Sequence, residues 1–169
     1  MTHLYELKNI KTLLVDGDLM VRNSLGLAFK VSGCFLQTVG SGEEGLLELE
    51  KERFDIILFD FNLPGMKGLE FFRTAKVFHP NALYIITASW WNDELIREAK
   101  GLGIHGIIEK PFSIRTLSGT LLPLIKSLRN IKSKPDKSFD ANQQIDMGWR
   151  ADTQIQSAID GKAVSYADK

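Results

Sequence analysis

A doubly wound α/β fold with a mostly parallel sheet is predicted by three observations. Five short apolar β-like runs alternate with segments of helical period between about residues 10 and 130. The first and third runs are the most continuously apolar, as central strands covered on both faces should be. Three runs end in Asp16, Asp60 and Thr87, and a fourth is followed by Lys110, placing polar chemistry where such sheets bind ligands.

Residues 1–9 form an N-terminal extension ahead of the first strand, "TLLVD" at 12–16. Asp16-Gly17 could turn a hairpin, but "LMVRNSLGLAFKV" follows, with Val21, Leu25, Ala28 and Phe29 on one helical face. Gly17 therefore lies in a strand-to-helix loop, and Asp18 is placed to cap the helix. The second strand is "FLQTV" at 35–39, and "GSGEEG" at 40–45 is too short and acidic for a phosphate loop. "DIILFD" at 55–60 is the third strand; "NLPGMKG" then turns into a helix carrying Leu69, Phe71 and Phe72. "LYIIT" at 83–87 and "HGIIE" at 105–109 complete the sheet. Trp90-Trp91 is expected at the start of the fourth helix, as core or as partner surface. Residues 131–169 are polar and read as a mobile tail in which Ile155, Ala158 and Ile159 could form one amphipathic turn.

Composition narrows the function. Formal net charge is zero, so no global field draws the chain to nucleic acid or to an anionic membrane. No long apolar span or signal peptide is visible, and the single cysteine, Cys34, excludes an internal disulfide and is expected to be a small buried hydrophobe. A cytoplasmic protein is the default. His3, His79 and His105 lack any mutual spacing for metal or acid–base work and are expected to be structural or exposed.

If Asp16, Asp18 and Asp60 converge, three carboxylates share one small space, which calls for a cation or raised pKa values. Mg2+ suits such a site, with coordination positions left open to a phosphate. Thr87 offers a hydroxyl, and Lys110 a mobile positive charge.

These residues carry a family resemblance. The acidic cluster in "LLVDGD", the segment "ILFDFNLPGMKG", the hydroxyl in "IITAS" and the lysine in "IIEKPF" resemble the receiver domain of two-component response regulators. The resemblance covers 10–130 and implies a flavodoxin-like sheet of order 2-1-3-4-5 with five helices. It implies that Asp60 accepts a phosphoryl group from a histidine kinase or phosphotransfer protein. Asp16, Asp18, Asp60 and the backbone carbonyl of Asn62 would then surround Mg2+, Thr87 would be the switch hydroxyl, and Lys110-Pro111 a cis peptide. Output would pass to an unidentified partner through the fourth helix, fifth strand and fifth helix, with a homodimer allowed. The chain would be a signalling domain, not an enzyme, beyond Mg-dependent self-phosphorylation and self-dephosphorylation.

Two positions depart from that pattern. Gly17 stands where the family has a second acid, which implies weak metal binding, and Ile107 where it has an aromatic switch residue. They motivate a second expectation, a degenerate receiver that binds its partner without phosphorylation. A third comes from "LLVDGDLM", which also resembles the first motif of haloacid-dehalogenase-like phosphatases, with Asp16 as nucleophile and Asp18 as acid and base; it leaves "FDFNLPGMKG" unexplained.

Overall fold

The structure, a computed structural model, describes residues 3–132 and the side chains of 4–127. Of the segment 131–169 only the first two residues fall within it, so the expectations for the tail, including the turn at Ile155, Ala158 and Ile159, lie outside the described residues.

After a short 3-10 helix (His3–Leu7), strands and helices alternate strictly: β1 (Lys11–Val15), α1 (Leu19–Val31), β2 (Phe35–Val39), α2 (Gly42–Lys51), β3 (Ile56–Asp60), α3 (Gly68–Phe78), β4 (Leu83–Ala88), α4 (Asp93–Gly101), β5 (Gly106–Glu109) and α5 (Ile114–Lys132). The strands form one parallel sheet in the order β2-β1-β3-β4-β5. Each predicted strand is present within a residue of its expected ends.

Strand alternation divides the core in two. Leu13, Val15, Ile57, Phe59, Tyr84 and Ile86 pack against α2, α3 and α4, with Phe59 and Phe72 stacked and Tyr84 edge-on to Phe72. Leu14, Ile56, Leu58, Leu83, Ile85 and Ile108 face α1 and α5 through Leu25, Phe29, Leu117, Leu121 and Ile125. Each fully buried Leu, Ile or Phe in these layers contributes about 1.5–3 kcal/mol from removal of apolar surface from water. Every residue of β4 is buried, as in β1 beyond its first residue, because three strands, not two, lie inside the sheet.

Side chains cap the starts of α1, α2 and α4. Asp18 accepts from the Met20 N–H at 2.8 Å, Ser41 from Glu44 N–H at 3.2 Å, and Asn92 from Leu95 N–H at 2.7 Å. "GSGEEG" is thus the cap of α2, with Glu44 in turn accepting from the Gly40 N–H at 2.7 Å. The two tryptophans precede the Asn92 cap, so they sit in the β4–α4 loop and not in α4 itself. Trp90 is 55% exposed, whereas Trp91 packs against the α2–α4 core layer.

The N-terminal extension is more than a leader to β1. Leu4 and Leu7 are fully buried against the α1/α5 layer. Cys34 is only half-buried; its thiol donates to the Leu4 carbonyl at 2.9 Å, and burial pushes its pKa up. His79 is buried with Nε2 at 2.8 Å from the Leu49 carbonyl, and His105 Nδ1 accepts from the Tyr84 N–H at 3.1 Å, so both are structural.

Candidate functional site

Side chains alternate along a strand, and Asp16, Asp60, Thr87 and Lys110 all have the parity of the residues that face α1 and α5. They emerge at the carboxyl edge of the sheet, where β1 and β3 are neighbours although β1 connects to β2 on its other side. This is the topological switch point, at which crossovers diverge and leave a crevice.

The Lys110 ammonium lies 2.8 Å from Asp16 Oδ2 and 2.9 Å from Asp60 Oδ2, so one cation bridges two carboxylates. Burial alone would depress the Lys110 pKa, but the attraction of the Asp16 and Asp60 carboxylates outweighs it and raises the value, which keeps the ammonium charged. For Asp60 burial dominates: it raises the pKa and the Asp16 charge adds to this, against the lowering effects of Lys110 and the Asn62 N–H. Lys110-Pro111 is cis.

Asp16 is held on every side. Its N–H donates to the Val39 carbonyl at 3.1 Å, its carbonyl accepts from Arg22 Nη1 at 2.6 Å, and its Oδ1 accepts from the Asp18 N–H at 2.9 Å. Its Oδ2 is buried and meets Lys110 as an ion pair without the alignment of a hydrogen bond, so among the described residues no donor satisfies it. A buried carboxylate oxygen lacking a donor beside a second carboxylate fits a hard cation, and one or two carboxylates suffice for Mg2+.

The expected trio of acids does not assemble. Among the described residues no three His, Cys, Asp or Glu side chains are grouped as a metal site. Asp16 and Asp60 come together, while Asp18 is exposed and spends Oδ1 on the α1 cap. Asn62 follows Asp60 on the exposed loop and pairs with Lys67 in an isolated antiparallel bridge. Thr87 is Asp60's register neighbour and is buried, with its hydroxyl turned to the Phe59 carbonyl at 3.5 Å.

Two glycines shape the rim. A Cβ at Gly17 would stand 2.9 Å from the Pro64 ring, so the β1–α1 and β3–α3 loops close on each other only because that side chain is missing. Gly17 does not have the positive φ of Gly33, Gly65 and Gly103, so its role is space and not a left-handed turn. At Gly68 a Cβ would collide with the Asp60 carbonyl; without one, the Gly68 N–H reaches the Phe61 carbonyl at 2.8 Å and starts α3 beside the acid.

Phe61 and Ile107 have the opposite parity and face the α2–α4 layer. The Phe61 ring lies 6.4 Å from both Trp90 and Trp91, and its N–H donates to the Thr87 carbonyl at 2.8 Å. Neither this aromatic cluster nor Arg22 stands out in the sequence, because a phenylalanine after a strand and an arginine on a polar helix face are ordinary there.

Sheet order and helix placement define the class: a doubly wound, flavodoxin-like α/β domain. The response regulator receiver domain matches residues 12–121, and the chain belongs to that family. It is 34% identical over 106 residues to sporulation initiation phosphotransferase F of Bacillus subtilis, covering 63% of this chain and 86% of that protein. It is 28% identical to a probable chemotaxis protein CheY of Rhizobium etli, over 72% of this chain and 97% of that one. A CheY-like receiver domain from Methanospirillum hungatei superposes with a TM-score of 0.68 over 72% of this chain and 98% of its own, and at 24% identity it shows the fold alone. The chain is therefore a phosphorelay receiver of two-component signalling. Nothing in these likenesses favours the phosphatase or the degenerate receiver. No described helix is long and apolar enough to cross a membrane.

Proposed function

We propose that Asp60 is the phosphoacceptor. The observation that carries this is the single ammonium of Lys110 shared by Asp60 and Asp16 at the switch point. The Asp60 carboxylate attacks the phosphorus of a phosphohistidine on a histidine kinase or phosphotransfer protein. An oxygen–phosphorus bond forms, the nitrogen–phosphorus bond breaks, and the imidazole leaves with the electron pair and takes a proton from solvent. An ionised carboxylate needs no general base, so the protein's task is positioning and charge neutralisation.

Lys110, already 2.9 Å from the acceptor, meets the incoming phosphoryl oxygens. The Thr87 hydroxyl, one strand away, turns from the Phe59 carbonyl toward the new anion. Asp16, Asp60 and the backbone carbonyl of Asn62 would hold Mg2+, which when bound supplies charge neutralisation at the phosphoryl group. Asp18 contributes through its cap and its bond to Asp16. Small phosphodonors would serve in place of the kinase, in a cytoplasmic setting, and the output partner would dock on α4, β5 and α5.

Incubation with a small phosphodonor and Mg2+, read by intact mass, tests the assignment. Wild type is expected to gain one phosphoryl group and Asp60→Asn none; equal labelling of the two would show that the acceptor lies elsewhere.

A further inference from the structure

We infer that Arg22 is a positioning residue for the metal-binding carboxylate, an inference that rests on the proposed role of Asp16 at a Mg2+ site. A guanidinium is costly to bury, yet the half-buried Arg22 has its nearest bond not to an acid but to the main-chain carbonyl of Asp16, at 2.6 Å. That carbonyl lies one residue beyond the end of β1, where the ladder no longer supplies a donor. The guanidinium is also wedged against Gly40: a Cβ there would be 3.4 Å from Nη1. Arg22 thus spans the β1–α1 and β2–α2 loops and fixes the main chain from which the Asp16 side chain projects.

With Oδ1 tied to the Asp18 N–H, the clamp leaves Oδ2, the atom in ion-pair contact with Lys110 at 2.8 Å, as the one available to a metal. Arg22 does for Asp16 what an outer-shell partner does for a metal ligand. It lies behind the ligand's main chain and touches neither the acceptor nor the phosphoryl group. Its charge works the other way, because a nearby cation repels a divalent ion. Positioning and charge therefore predict opposite signs when the guanidinium is removed.

Calorimetric titration of the unphosphorylated full chain with MgCl2 separates them. Arg22→Met is expected to weaken Mg2+ binding about tenfold or more, the usual scale for losing an outer-shell partner. Arg22→Lys keeps the charge but loses the planar fork, and is expected to weaken binding too. Excess Mg2+ should restore Asp60 labelling in both variants, which loss of folded protein would not allow. Tighter binding by Arg22→Met would overturn the inference in favour of charge repulsion, and unchanged affinity in a cooperatively unfolding Arg22→Lys protein would overturn it outright. Failure of wild type itself to bind Mg2+ would instead remove the metal from the proposed function, and the inference with it.

Discussion

Burial raises the Asp60 pKa and the Asp16 charge raises it further, against Lys110 and the Asn62 N–H. A group whose folded pKa exceeds its unfolded one contributes stability that is complete below the unfolded pKa and is lost as pH rises through the folded one. At pH 7 an ionised Asp60 is therefore a cost to the fold. Asp60→Asn is expected to raise the midpoint of chemical denaturation at pH 7, and the gain should shrink as pH falls through the carboxylate range. A lower midpoint at pH 7 would mean that the Lys110 ion pair outweighs burial. At Gly17 the close Pro64 ring decides. Gly17→Asp is expected to cost about 1–3 kcal/mol as overpacking without tightening Mg2+ binding; tighter binding at unchanged stability would make the glycine a lost ligand. Asp16, Asp60, Thr87 and Lys110 were legible because each breaks an apolar run at a strand end. Arg22 and Gly68 were not, since their roles depend on contacts with main-chain carbonyls that no pattern records.

Among the elements, alternation of periods made every strand and helix of the sheet readable, and the misreadings have local causes. "MTHLYELKN" is too short to show a period, so Leu4 and Leu7 gave no sign that they reach the core layer against α1 and α5. The tryptophans fall outside α4 because Asn92, not a residue before Trp90, is its N-cap. The β4–α4 loop also carries a conformational consequence. Ile107 offers neither a ring nor a hydroxyl and faces the α2–α4 layer, whereas Phe61, next to Asp60, links that strand end to Trp90 and Trp91. The buried Trp91 indole N–H has no partner among the described residues, and a rearranged loop could satisfy it. Phosphorylation biases an existing equilibrium, so labelling is expected to change the tryptophan fluorescence of a Trp149→Phe protein and the amide exchange of residues 87–95. No change in either after full labelling would exclude this loop from the response.

For the whole molecule, the five strands and the residues that bind them into a sheet lie within the compact unit Met1–Asn130. A chain truncated after Asn130 is expected to unfold cooperatively and to accept a phosphoryl group at the wild-type rate; loss of cooperativity would show that the tail belongs to the core. The parallel sheet followed from the alternation and its order from a resemblance borne by four motifs, while the pairing of Asp16 with Asp60 needed the strand order made concrete. The most direct measurement is chemical. Borohydride reduces an aspartyl phosphate to homoserine, so peptide mapping after labelling and reduction names the acceptor. Homoserine at position 60 alone is the predicted result. Homoserine at position 16 would restore the phosphatase-like chemistry, and its absence throughout a chain exposed to phosphodonor and Mg2+ would contradict phosphorylation and leave a receiver that acts by binding alone.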